Sequence, residues 1–114
     1  METFGQRVKR LRKLRRITQL ELANRIGVDF TYVSKIENER TPRSPAESTI
    51  KKLAEVLGDD ADELILLANK IPQELHETIV RDTLAVDFLR TVSKFSVDER
   101  EHIRKFIEDA EQRD

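Results

Sequence analysis

The sequence predicts an all-α protein: a five-helix domain over residues 1–70, followed by a small helical C-terminal region over residues 71–114. Two observations carry this reading. Only three glycines and three prolines interrupt a chain rich in Leu, Glu, Lys and Arg, which are strong helix formers. Apolar residues recur three or four positions apart behind residues that start helices, the spacing of helices with one buried face.

Thr3 followed by Gln6 forms a capping box, in which each side chain serves the other's backbone N–H. Behind it, Phe4, Val8 and Leu11, followed by Leu14 and Ile17, supply the core side of a first helix. The other side carries Arg7, Lys9, Arg10, Arg12, Lys13, Arg15 and Arg16, too many cations for internal pairing, so several are expected to face solvent or phosphate. Thr18 with Glu21 repeats the capping box and opens a second helix. Gly27 supplies the left-handed backbone that ends it, and Asp29 is a good N-cap for a third.

Stepped at about 100° per residue, the third helix divides into two faces. Val33 and Ile36, with Tyr32 beside them, can pack on Leu22, Ala23 and Ile26 of the second helix, while Phe30, Thr31, Ser34 and Lys35 point away. One face is anchored and one is free. Ser44, Pro45 and Glu47 read as the capped start of a fourth helix, with Ile50, Leu53, Ala54 and Leu57 inside and Gly58 at its end. Asp60 with Glu63 caps a fifth helix over 61–68, whose Leu64, Ile65 and Leu67 complete the core. Asp59, Asp60, Asp62 and Glu63 lack the ligand spacing and central glycine of a calcium loop, so they read as caps and solvated charge.

Pro72 marks the joint to the second region. Leu75, Ile79 and Val80 suggest one short helix; Leu84, Phe88, Val92 and Phe95 recur along one side of another; Ser96 with Glu99 caps a last helix with Ile103, Phe106, Ile107 and Ala110 on one stripe. About 40 residues do not readily build an independent core. The tail is therefore expected either to fold back on the first domain or to pair with another subunit through Phe88, Val92, Phe95, Ile103, Phe106 and Ile107.

Taken together, T-Q-L-E-L-A at Thr18, G-V at Gly27 and Y-V-S-K-I-E-N at Tyr32 resemble the Xre/Cro-type, lambda-repressor-like helix-turn-helix, and flanking segments extend the match to about residues 4–69. The resemblance implies a five-helix DNA-binding domain in which the third helix enters the major groove. It implies that Arg12 pairs with Glu37 at the close of that helix, in a structural or a mixed structural and phosphate-binding role, and that Gln19 contacts a phosphate. It also matches Phe30, Thr31, Ser34 and Lys35 to the variable base-reading positions. In chemical terms Lys35 suits guanine O6/N7, Thr31 a base edge or thymine methyl, Phe30 a thymine methyl or a packing contact, and Ser34 a base or phosphate. Thr18 lies at a helix N-terminus that favours a phosphate, Tyr32 offers a polar tip near one, and Asn38, Arg40 and Arg43 lie beyond the recognition helix where backbone phosphate runs. Family members often carry glycine where Glu39 stands, which leaves the turn there open, because Glu resists a positive φ.

Charge supports the same division. Residues 1–43 carry 11 Lys/Arg against 5 Asp/Glu, net +6, and residues 44–114 carry 10 against 17, net −7, within an overall −1. A basic N-terminal part is the footprint of a phosphate-binding surface. With no cysteine there is no disulfide or thiolate metal site, and no apolar run approaches the roughly 18 residues of a membrane helix. The basic start lacks the apolar stretch of a secretory signal, so a cytoplasmic protein is expected. His76 and His102 belong to no ligand motif, and neither a phosphate-binding glycine loop nor G-x-S-x-G is present, so no enzyme, cofactor or metal is expected. The functional expectation is a homodimeric transcriptional regulator, a repressor on a palindromic double-stranded operator. The alternative is an antitoxin-like module whose C-terminal helices bind a partner protein.

Overall fold

The computed structural model describes residues 1–113 as eight α-helices and one short 3-10 turn. The helices start where short polar side chains serve free N–H groups. Thr3 caps α1 (Phe4–Leu14), Thr18 caps α2 (Gln19–Ile26), Asp29 caps α3 (Phe30–Glu37) and Asp60 caps α5 (Ala61–Leu67). Among these first five helices the exception is α4 (Glu47–Leu57). Its N-cap is Ala46, with no side-chain cap bond, and the expected cap residue Ser44 instead donates its hydroxyl to the Ala68 carbonyl at 2.9 Å. Ser44 sits two residues before the cap, on the far side of buried Pro45, so it ties the loop to the end of α5.

Val8, Leu22, Val33, Ile50, Leu53, Leu57, Leu64 and Ile65 are fully buried and form one core across α1–α5. Truncating any of the buried leucines to alanine costs about 2–5 kcal/mol. Two core expectations change. Leu14 is 68% exposed: Arg16 adopts φ 57° and turns the chain, so Ile17 re-enters the core while Leu14 stays outside. Leu67 is only half-buried, and the buried position near the end of α5 is taken by Ala68. This compact unit spans Met1–Gln73.

A second unit begins at Glu74 and holds α6 (Gln73–Arg81) beyond its first residue, α7 (Thr83–Thr91) and α8 (Val97–Glu111). The continuous stripe expected from Leu84 to Phe95 is broken. The helix ends at Thr91, Val92–Lys94 form the 3-10 turn, and Phe95 is extended (φ −71°, ψ 137°) so that Ser96 can cap α8. Arg100 satisfies the freed carbonyls, donating from Nη2 to Val92 O at 2.7 Å and from Nε to Phe95 O at 3.4 Å. The Phe88 and Phe95 rings meet at 5.8 Å, tilted by 50°. None of the described residues of this unit is buried: Val92, Phe95 and Ile103 are half-buried, while Phe88, Phe106 and Ile107 are exposed. Asp114, the last residue of the expected second region, lies outside the described residues. No helix among the described residues is long and apolar enough to cross a membrane.

Candidate nucleic-acid interface

The third helix is short, and what holds it lies at its end. Val33 and Ile36 are buried beside α2, and the last residue of the helix, Glu37, is only 6% exposed. A buried carboxylate near a helix C-terminus is opposed both by lost hydration and by the helix dipole. Arg12 of α1 offsets this with two bonds, Nε to Oε2 at 2.7 Å and Nη2 to Oε1 at 3.0 Å, and Gln19 of α2 adds a third from Nε2 to Oε1 at 3.1 Å. The remaining nitrogen of Arg12, Nη1, donates to Ile17 O at 2.9 Å. One guanidinium thus joins α1, the α1–α2 corner and the end of α3.

Glycine makes the close approach feasible. A Cβ on Gly5 would lie 2.5 Å from the Ile36 carbonyl and 2.9 Å from Glu39 Cγ, so α1 meets the close of α3 at backbone distance. Beyond the helix Glu39 does adopt the left-handed conformation (φ 57°), fixed by Glu39 N–H to Ile36 O at 3.2 Å and Arg40 N–H to Lys35 O at 2.9 Å.

With its inner face fixed, α3 presents Phe30, Thr31 and Lys35 exposed and Ser34 half-exposed on one side. Asn38 folds back on this side, donating from Nδ2 to Ser34 O at 2.9 Å and approaching Ser34 Oγ at 3.4 Å. The candidate phosphate residues fall into two groups. Thr18, Gln19 and Arg12 already hold intramolecular bonds: the Thr18 hydroxyl accepts from Glu21 N–H at 3.0 Å, and the Arg12 side chain is only 11% exposed. Arg40 and Arg43 are exposed, with no ion pair among the described residues, and Tyr32 is half-buried against the core.

Arg7 and Arg10 of α1 are also held in ion pairs within the fold. Arg7 Nη2 reaches Asp59 Oδ1 at 2.7 Å and Glu63 Oε2 at 3.1 Å. The bond to Asp59 raises the Arg7 guanidinium above its ordinary pKa against an opposing loss of hydration, and Glu63 adds to the rise. Asp59 therefore serves as an anchor for α1 and Asp60 as a cap, which accounts for two members of the acidic run. Sequence reasoning missed Gly5, the Gln19–Glu37 bond and the Arg7 anchor. Each joins residues distant in the chain, and no local spacing announces them.

Comparison with known proteins places this geometry. A family model described as helix-turn-helix matches residues 8–70. The chain is 40% identical over 77 residues to the HTH-type transcriptional repressor RghR of Bacillus subtilis (strain 168), covering 68% of this chain and 56% of that protein. It is 33% identical over 75 residues to the immunity repressor protein of Bacillus phage phi105, covering 66% and 51%. The chain spans about half the length of these curated relatives. Among solved structures, a chain of the SinR protein/SinI protein complex matches with a TM-score of 0.53 and 25% identity, over 97% of this chain and 100% of that one.

Proposed function

Because the chain belongs to the Xre/Cro-type helix-turn-helix family of transcriptional regulators, we propose that it binds specific double-stranded DNA as a homodimer and represses transcription from a palindromic operator. The observation that carries this reading is the two-faced α3. Its inner side and end are locked by Val33, Ile36 and the Arg12–Glu37–Gln19 cluster, leaving Phe30, Thr31, Ser34 and Lys35 outward as one reading surface. A recognition helix works when its base-reading side chains are presented rigidly to the major groove. Lys35 then donates to guanine, Thr31 and Phe30 meet thymine methyl groups, and Ser34 meets a base or phosphate. Arg40, Arg43, Asn38, Tyr32 and the Thr18–Gln19 corner set register on the phosphate backbone. Arg12 acts chiefly through Glu37, with its remaining N–H groups available at the same edge.

The dimer reading rests on the second unit, where Leu84, Leu89, Phe106 and Ile107 are 72%, 53%, 71% and 47% exposed. A second copy that covers them would set two recognition helices about 34 Å apart, one turn of duplex. Selection of random duplex DNA by the purified protein at about 0.15 M salt, followed by sequencing, tests the whole reading. A palindromic motif is expected; an unenriched pool from folded protein sinks it. The same exposed side chains, together with a structural neighbour solved in a two-protein complex, favour a second reading in which the C-terminal helices bind a partner protein. Under that reading Phe106→Glu leaves self-association unchanged and removes partner capture.

A further inference from the structure

Seven cations lie between Arg7 and Arg16, and the fold gives most of them an address. Arg7, Arg10 and Arg12 are held in ion pairs at 2.6–2.7 Å. The Arg15 guanidinium lies over Gly58, where an added Cβ would meet it at once. Lys9 and Lys13 share a strip of α1 with Gln6, Arg10 and Leu14. Lys9, Lys13, Arg15 and Arg16 are exposed without an ion pair among the described residues, and of these Arg16 stands past the end of α1, at the left-handed corner that leads into α2. Two residues on stands Thr18, a separation of at most about 7 Å along the backbone, and next to that Gln19. The corner therefore carries a free guanidinium beside the two residues that the DNA reading sets on phosphate.

We propose that Arg16 is a further DNA-contacting residue: its guanidinium engages the phosphate at the α1–α2 corner and contributes affinity without sequence preference. The inference rests on the DNA reading above. The side chain is flexible and the charge is unspent, so neutralising one phosphate releases the counterion that phosphate had condensed. With a salt slope of about 0.9 per phosphate, that one contact is worth about fivefold in affinity at about 0.15 M salt.

The test uses the full chain as wild type, Arg16→Lys, Arg16→Gln and Arg16→Gly, titrated on the selected duplex and on a scrambled duplex of equal length across a salt series, with a thermal melt of each variant. Arg16→Gln and Arg16→Gly are expected to bind about fivefold more weakly on both duplexes, with the salt slope smaller by about one. Arg16→Lys, which keeps the charge, is expected to stay within about twofold of wild type. The Gly variant relaxes the left-handed corner (φ 57°), so its Tm should equal or exceed that of wild type while its affinity falls, a divergence that a purely structural arginine would not produce. Unchanged affinity and slope in Arg16→Gln, while wild type binds, overturns the proposal. So does a loss confined to one duplex, or one that tracks a fall in Tm. If the wild type binds neither duplex, the DNA reading fails before any substitution is compared, and this inference falls with it.

Discussion

Replacing Arg12 by methionine should destabilise the domain well beyond the loss of a surface ion pair. The Glu37 side chain is 1% exposed, and the change leaves its carboxylate with only the Gln19 amide at 3.1 Å. The Ile17 carbonyl loses its guanidinium donor as well. Removing one partner of a buried ion pair costs about 3–5 kcal/mol, because the remaining charge keeps its desolvation penalty. At about 2.1 cal/mol/K per residue, the unit Met1–Gln73 has an unfolding entropy near 0.15 kcal/mol/K, so a 3 kcal/mol loss lowers Tm by about 20 °C. The double change Arg12→Met with Glu37→Leu removes both charges and should recover stability to within about 1 kcal/mol of wild type. Thermal and urea melts followed by circular dichroism measure both. A single-variant loss below about 1 kcal/mol would show that the pair is screened as a surface pair is. The account of how α3 is held would then be wrong.

Further outcomes follow from the same geometry. Glu39→Gly should raise stability by up to about 1 kcal/mol, since glycine relaxes the left-handed position at the cost of its own chain entropy; a lower Tm would mean that the Glu39 side chain packed over Gly5 matters more. Gly5→Ala should destabilise by about 1–3 kcal/mol, because the new Cβ would sit 2.5 Å from the Ile36 carbonyl; an unchanged melt would show that α1 can slide away freely. Lys35→Ala should weaken binding to the selected duplex by about 1–3 kcal/mol and barely change a scrambled one, whereas Arg43→Ala should weaken both alike; titration of both duplexes with both variants separates the roles. Ser96 N–H, then its hydroxyl, hold the Glu99 carboxyl below its ordinary pKa. A depressed carboxylate stabilises the fold above its unfolded pKa and loses that contribution as pH falls through the folded value, so the start of α8 should loosen only in acid. Carboxyl NMR titration reads this directly; a Glu99 that titrates at or above the ordinary glutamate value contradicts the cap.

Much of the fold was legible because its signals are local. Thr3 with Gln6, Thr18 with Glu21 and Ser96 with Glu99 each close a capping box within four residues, and all three form. Gly27 and Gly58 end helices with positive φ, as expected of glycines at those positions. The Arg12–Glu37 pair, 25 residues apart, is implied only by the family resemblance, since no periodicity links its members. Apolar spacing does not carry across a bend. Leu14 follows the apolar repeat yet sits past the point where Arg16 turns the chain, and Val92 continues a helical stripe that ends at Thr91 because the chain must straighten to present Ser96. Gly5 carried no sequence signal, because its role is defined by a carbonyl on another helix.

The division of α3 into a locked side and an outward side bears on how such a protein can change. Val33, Ile36 and Glu37 take their contacts from the core, whereas Phe30, Thr31 and Lys35 are exposed. Substitutions at sites without shared partners add almost independently. The outward residues can then be exchanged, singly or together, with little loss of folding stability, and the preferred sequence can drift while the scaffold stays constant. Ser34 is the exception: Asn38 grips its carbonyl and approaches its hydroxyl, so exchange there also touches the helix end. A library randomised at residues 30, 31 and 35 should therefore yield mostly folded members, and adding residue 34 should be the step at which folded members begin to be lost.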